Sequence, residues 1–78
     1  MKELQAKLIS VMNRAEHLNG VNAKMGSLGF FTYEYLRLIK NGQVQIKDKP
    51  ENREKVIELL HEYDKVFQIK TKKIWGLS

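Results

Sequence analysis

Cysteine is absent from this 78-residue sequence, which removes disulfide frameworks, thiolate zinc sites and thiol catalysis together. A reducing, cytoplasmic setting is the natural expectation for such a chain. Proline and tryptophan occur once each and histidine twice. No run approaches the roughly 18 apolar residues needed to span a bilayer, and Met1-Lys2-Glu3-Leu4 opens without an apolar leader segment. Membrane insertion is not expected.

What remains is an ordinary globular composition, 42% hydrophobic and 29% charged. A chain this short forms one domain, residues 1–78, and buries only roughly 60% of the surface its unfolded form exposes. Little is left for a deep catalytic cleft. Lys and Arg number 14 against 9 Asp and Glu, for a formal net charge of +5.

Leu4, Leu8, Val11, Met12 and Ala15 recur at helical spacing, with Lys2, Lys7, Asn13, Arg14 and Glu16 opposite. A helix over 2–18 follows, stopped by Asn19-Gly20. Residues 20–29 hold three of the five glycines and read as a loop. Gly26, Ser27 and Gly29 lack the Gly-Lys-Ser/Thr of a phosphate-binding Walker loop.

Residues 30–46 admit two periods. As a helix, Thr32 caps the start, Phe31 staples onto Leu36, and Gly42 ends it. As a hairpin, Asn41-Gly42 forms the turn, but Leu36 and Leu38 then lie on the face opposite Val44 and Ile46. The helix wastes no apolar residue and is preferred. Gln43 to Lys47 alternates strictly and predicts a short half-buried strand.

Asp48-Lys49-Pro50-Glu51 reads as an N-cap, a first-turn proline and a capping-box glutamate. Val56, Ile57, Leu59, Leu60 and Tyr63 make the apolar stripe of a helix from about 49 to 65. Phe67, Ile69 and Thr71 then alternate with Gln68, Lys70 and Lys72, which suggests a strand with a bulge or a hairpin turning near Thr71-Lys72. The expected fold is a small α+β domain ordered α-α-β-α-β, with a short two- or three-stranded sheet packed on helices.

Residues that could carry chemistry are few. His17 near a helix C-terminus suits the helix dipole. Glu58 and His61 form a Glu-x-x-His element, yet a di-iron site needs a second copy of it and two more inward glutamates, and no second copy exists. Ser10, Ser27 and Ser78 belong to no nucleophile elbow, and Glu54, Glu58 and Glu62 form a ridge suited to a wet helix face. No catalytic residue, metal site or cofactor is assigned, and an enzyme is not expected.

Charge is segregated along the chain. Glu51, Glu54, Glu58, Glu62 and Asp64 make the last helix acidic, which argues against its entering the major groove. Arg37, Lys40, Lys47 and Lys49 surround the expected first strand, and Lys70, Lys72 and Lys73 lie in a stretch without acids. If the strands are neighbours, these seven cations form one basic surface for nucleic acid or a nucleoprotein. The alternative is a protein-binding regulator or inhibitor of the phage or mobile-element kind, anchored by Phe30, Phe31, Tyr33 and Trp75. An exposed strand edge would also allow a homodimer.

Overall fold

The computed structural model describes residues 1–75, with side chains described through Gln68. Among them there is no strand. The expected α+β order with a sheet is therefore corrected to an all-helical fold.

Helix α1 (Lys2–Arg14) turns Leu8 and Met12 into the core and continues as a 3-10 turn, Ala15–His17. Leu18 is extended and Gly20 takes a φ of 77°, so the chain reverses where Asn19-Gly20 predicted. The segment expected to be a loop then forms α2 (Val21–Gly26), which buries Val21 and Met25. Its glycines hid a helical spacing of apolar residues, which tertiary burial completes.

Helix α3 (Tyr33–Lys40) begins on Thr32, whose hydroxyl accepts from Tyr35 N–H at 3.1 Å. Leu36 and Ile39 are buried, and Phe31 packs its ring against Tyr35 with centroids 5.4 Å apart. Gly42, at φ 75°, ends the helix. Its N–H donates to Ile39 C=O at 3.0 Å and Gln43 N–H donates to Leu38 C=O at 2.9 Å, the paired bonds of a Schellman cap.

Helix α4 (Pro50–Trp75) is 26 residues long. At 1.5 Å per residue that is about 39 Å, close to the 41 Å length of the molecule. Val56, Leu59 and Tyr63 are fully buried. Pro50 occupies the first helical position, where its missing N–H costs no bond. Asp48 departs from its expected capping role: its carboxylate receives Arg53 Nε at 2.7 Å and Nη2 at 3.1 Å. The Arg53 guanidinium holds the Asp48 carboxyl below its usual range.

The strand or hairpin expected after residue 65 is instead the continuation of α4. Tyr63, Val66 and Phe67 extend the stripe begun by Val56, Leu59 and Leu60, and no glycine or proline interrupts residues 51–75. Short-range alternation loses to a helix already nucleated and packed. The first expected strand, 43–47, has no strand to pair with and is a connection between α3 and α4.

That connection is held by a side chain. Gln5 Nε2 donates to Val44 C=O at 3.1 Å, and Ile46 N–H donates to Gln5 Oε1 at 2.8 Å. One carboxamide thus supplies the donor and acceptor that a neighbouring strand would offer. The alternation is real in its consequence, since Ile46 is buried while Gln45 and Lys47 are exposed.

Met1 lies beside Asp48 at the foot of the molecule, and Arg14 lies over the Phe67 ring at the other end. Helices α1 and α4 therefore run parallel. Lys40, the last residue of α3, reaches Glu16 just past α1, so the C-termini of α1 and α3 share the Arg14 end. The 43–48 segment returns to the foot.

Candidate nucleic-acid interface

The cations expected to share one strand surface are distributed over three places. Lys47 and Lys49 are exposed on the connection, near the foot. Arg37 and Lys40 lie on α3 toward the opposite end, and Lys70, Lys72 and Lys73 fall on the last two turns of α4, where only the backbone is described. The single basic surface is not assembled, because the sheet meant to carry it is absent.

Local pairing divides these cations further. Arg37 Nη2 donates to Glu34 at 3.2 Å one turn earlier, and Lys40 Nζ donates to Glu16. The Arg37–Glu34 pair is solvated, where such contacts contribute little to stability, whereas the Lys40 side chain is only 23% exposed. Each nevertheless places a carboxylate against the charge that a phosphate would need. Lys47 and Lys49 form no ion pair among the described residues, but they stand close to Asp48 and Glu51 in sequence.

The Arg14 end has a different balance. Arg14 sits 4.7 Å from the centroid of Phe67, its guanidinium over the ring. A ring face and a planar cation stack favourably here while the charge stays exposed. Lys65 is exposed and donates to Glu62 at 3.1 Å. From Lys65 onward the chain carries Lys70, Lys72 and Lys73 and no acid.

The parallel course of α1 and α4 gives this end its character. Two helix C-termini point the same way, and each favours positive charge near its last carbonyls. Glu3 and Glu51, in the first turns of α1 and α4, complement the other pole. Charge segregation along α4 thus stabilises the helix itself.

Arg14 was not singled out by sequence reasoning. Its helical position marked it as solvent-facing, but nothing in the spacing of α1 indicates that it meets Phe67 from the far part of the chain.

Beside this end, α1 and α4 enclose an open groove of about 470 Å³. Val11, Leu60 and Phe67 contribute apolar surface, while Lys7, Ser10, Arg14, His61 and the carboxylate of Asp64 bring polar rims. Of the expected protein anchors, Phe30 and Phe31 are half-buried against the core and Lys55 lies 5.8 Å over the Phe31 ring. Tyr33 is 51% exposed on the outer face of α3. The Trp75 side chain lies outside the described residues. Phe30, Phe31 and Tyr33 therefore do not form one exposed aromatic patch.

Among the described residues, no three His, Cys, Asp or Glu side chains come together as a metal site. No described helix is long and apolar enough to cross a membrane. Comparison with known proteins returns no match among family models, curated proteins or solved structures.

Proposed function

We propose that this chain is a small non-catalytic binding module that contacts nucleic acid through its cationic end, where α1 and α3 terminate and α4 continues toward Lys70, Lys72 and Lys73. The observation that carries the reading is the parallel α1/α4 arrangement, which sets Arg14 beside the start of the lysine-bearing, acid-free stretch 65–78. The charged side chains of that stretch are lysines alone. Lysine acts as a point charge suited to phosphates more than as a reader of base edges. The expected mode is backbone contact with little sequence preference.

Titration of single- and double-stranded oligonucleotides at increasing salt tests this. Binding in the micromolar range that weakens steeply with salt supports it, because phosphate neutralisation releases counterions. Absence of binding at about 50 mM salt rejects it.

A second reading is favoured by the α1–α4 groove. Its apolar Val11, Leu60 and Phe67 could receive a partner protein, making the chain a regulator or inhibitor. Partner association that persists at high salt and is lost on Leu60→Asp in a folded chain would select this reading.

A further inference from the structure

The Gln5 carboxamide occupies only one edge of the 43–47 segment. In extended backbone, alternate residues direct their N–H and C=O groups to opposite edges. Val44 C=O and Ile46 N–H face Gln5. Gln45 N–H, Gln45 C=O and Lys47 N–H therefore face away from it. None of these three has a hydrogen-bond partner among the described residues.

We propose that this open edge pairs antiparallel with the same edge of a second copy of the chain, centred on Gln45. In that register Gln45 and its counterpart exchange two backbone hydrogen bonds. The next pair sets Gln43 opposite Lys47, and Lys47 N–H donates to the Gln43 C=O of the other copy. The complementary bond of that pair would join Gln43 N–H to Lys47 C=O. These two groups are already occupied: Gln43 N–H donates to Leu38 C=O at 2.9 Å, while Lys47 C=O accepts from Lys49 N–H at 2.9 Å and Asn52 Nδ2 at 3.0 Å. The groups left open are those a four-bond symmetric ladder uses.

The side chains agree with this register. Gln43-Val44-Gln45-Ile46-Lys47 reads nearly the same in both directions, so Val44 faces Ile46 of the other copy and glutamine faces glutamine. No like charges stand directly opposite, and apolar residues meet apolar residues. A symmetric interface of this kind is closed, giving a dimer and not a filament. The paired surface is small and places it among weak, transient associations. Each copy carries +5, so raising salt strengthens the dimer by screening repulsion. Nucleic-acid binding responds in the opposite direction.

Sedimentation equilibrium up to roughly millimolar chain concentration reads the association, a weak-affinity range suited to an interface of this size. The expected result is a monomer–dimer equilibrium that shifts toward dimer with salt. Gln45→Pro removes the outward N–H and leaves both Gln5 bonds intact. It should weaken dimerisation by about tenfold or more, since two symmetric bonds are lost. Gln45→Ala, which keeps the backbone, should dimerise nearly as the parent does. In the unmodified chain, hydrogen exchange at Gln45 and Lys47 should slow as concentration rises. A single 9.2 kDa species throughout, a dimer indifferent to Gln45→Pro, or concentration-independent exchange at these amides would overturn the proposal.

Discussion

The Tyr63 hydroxyl donates to Asn22 Oδ1 at 2.5 Å, and Asn22 Nδ2 donates in turn to the Met12 carbonyl at 3.3 Å. Three helices are tied by one polar chain: α4 through Tyr63, α2 through Asn22 and α1 through Met12. The short helix α2, six residues long, cannot hold itself together by its own hydrogen bonds. Its place depends on burying Val21 and Met25 and on this link. Tyr63→Phe keeps the ring and removes the bond, so it should cost about 1–2 kcal/mol and lower Tm by roughly 5–10 °C. Asn22→Ala should cost a similar amount. Thermal unfolding of the double variant should show little further loss, because both changes break the same chain.

Burial pushes the Tyr63 phenol up to about 12, from an ordinary value of 10.0. The folded chain therefore retains a proton that the unfolded chain releases first. Stability from this group is fully present below about pH 10 and is lost as pH rises through about 12. The informative measurement is the difference between the parent and Tyr63→Phe. That difference should shrink as pH rises through this range. The phenolate absorbance that Tyr63→Phe removes should appear only well above pH 10.

Where a signal was local, the sequence was legible. Thr32 and Gly42 bracket α3, and both act as their chemistry requires. Pro50 opens α4 as its fixed φ favours. A two-residue alternation misleads where the sequence does not show what pairs with it. Gln43–Lys47 needs a hydrogen-bonding neighbour, and Gln5, far away in sequence, provides it from a helix. Once that strand has no partner strand, the alternation of Phe67, Ile69 and Thr71 loses its support, and α4 continues along its apolar stripe. The basic surface failed for the same reason, since its seven cations were joined only by the assumed sheet. What survives is the acid-free C-terminal run, which depends on composition alone.

Gly26 is needed for space. A Cβ added there would stand 2.8 Å from Tyr33 Cβ and 2.9 Å from Tyr33 Cα, where the end of α2 meets the start of α3. Gly26→Ala gains helix propensity of up to about 1 kcal/mol, but the backbone contact cannot yield as a flexible side-chain tip would. A net loss of about 1–2 kcal/mol is expected from overpacking. Gly42 provides the contrast: a Cβ added there would meet nothing within 4 Å, yet its φ is +75°. Denaturant unfolding should therefore show asparagine tolerated better than alanine at position 42, because asparagine accepts the left-handed region. At position 26 asparagine should be worse than alanine.

The division of the cations makes a sharper prediction than net charge does. Lys47 and Lys49 lie near the foot, while Lys70, Lys72 and Lys73 lie on the stretch of α4 beyond Phe67. If the cationic end contacts phosphates, Lys70→Gln, Lys72→Gln and Lys73→Gln together should weaken oligonucleotide binding and reduce the salt slope by about 2–3 units. Lys47→Gln with Lys49→Gln should leave both nearly unchanged. Neither set should move the melting temperature by more than the equivalent of about 0.5 kcal/mol, as expected for exposed lysines. Arg14→Gln should weaken binding without changing its sequence preference, since a charge near the backbone positions the nucleic acid and reads no base. Losses in simple proportion to the charge removed, at either end alike, would mean that a diffuse +5 attracts the polyanion and that no defined end binds it. Unchanged binding in the lysine triple variant would transfer the interface to the α1–α4 groove, where Leu60→Asp is the decisive substitution.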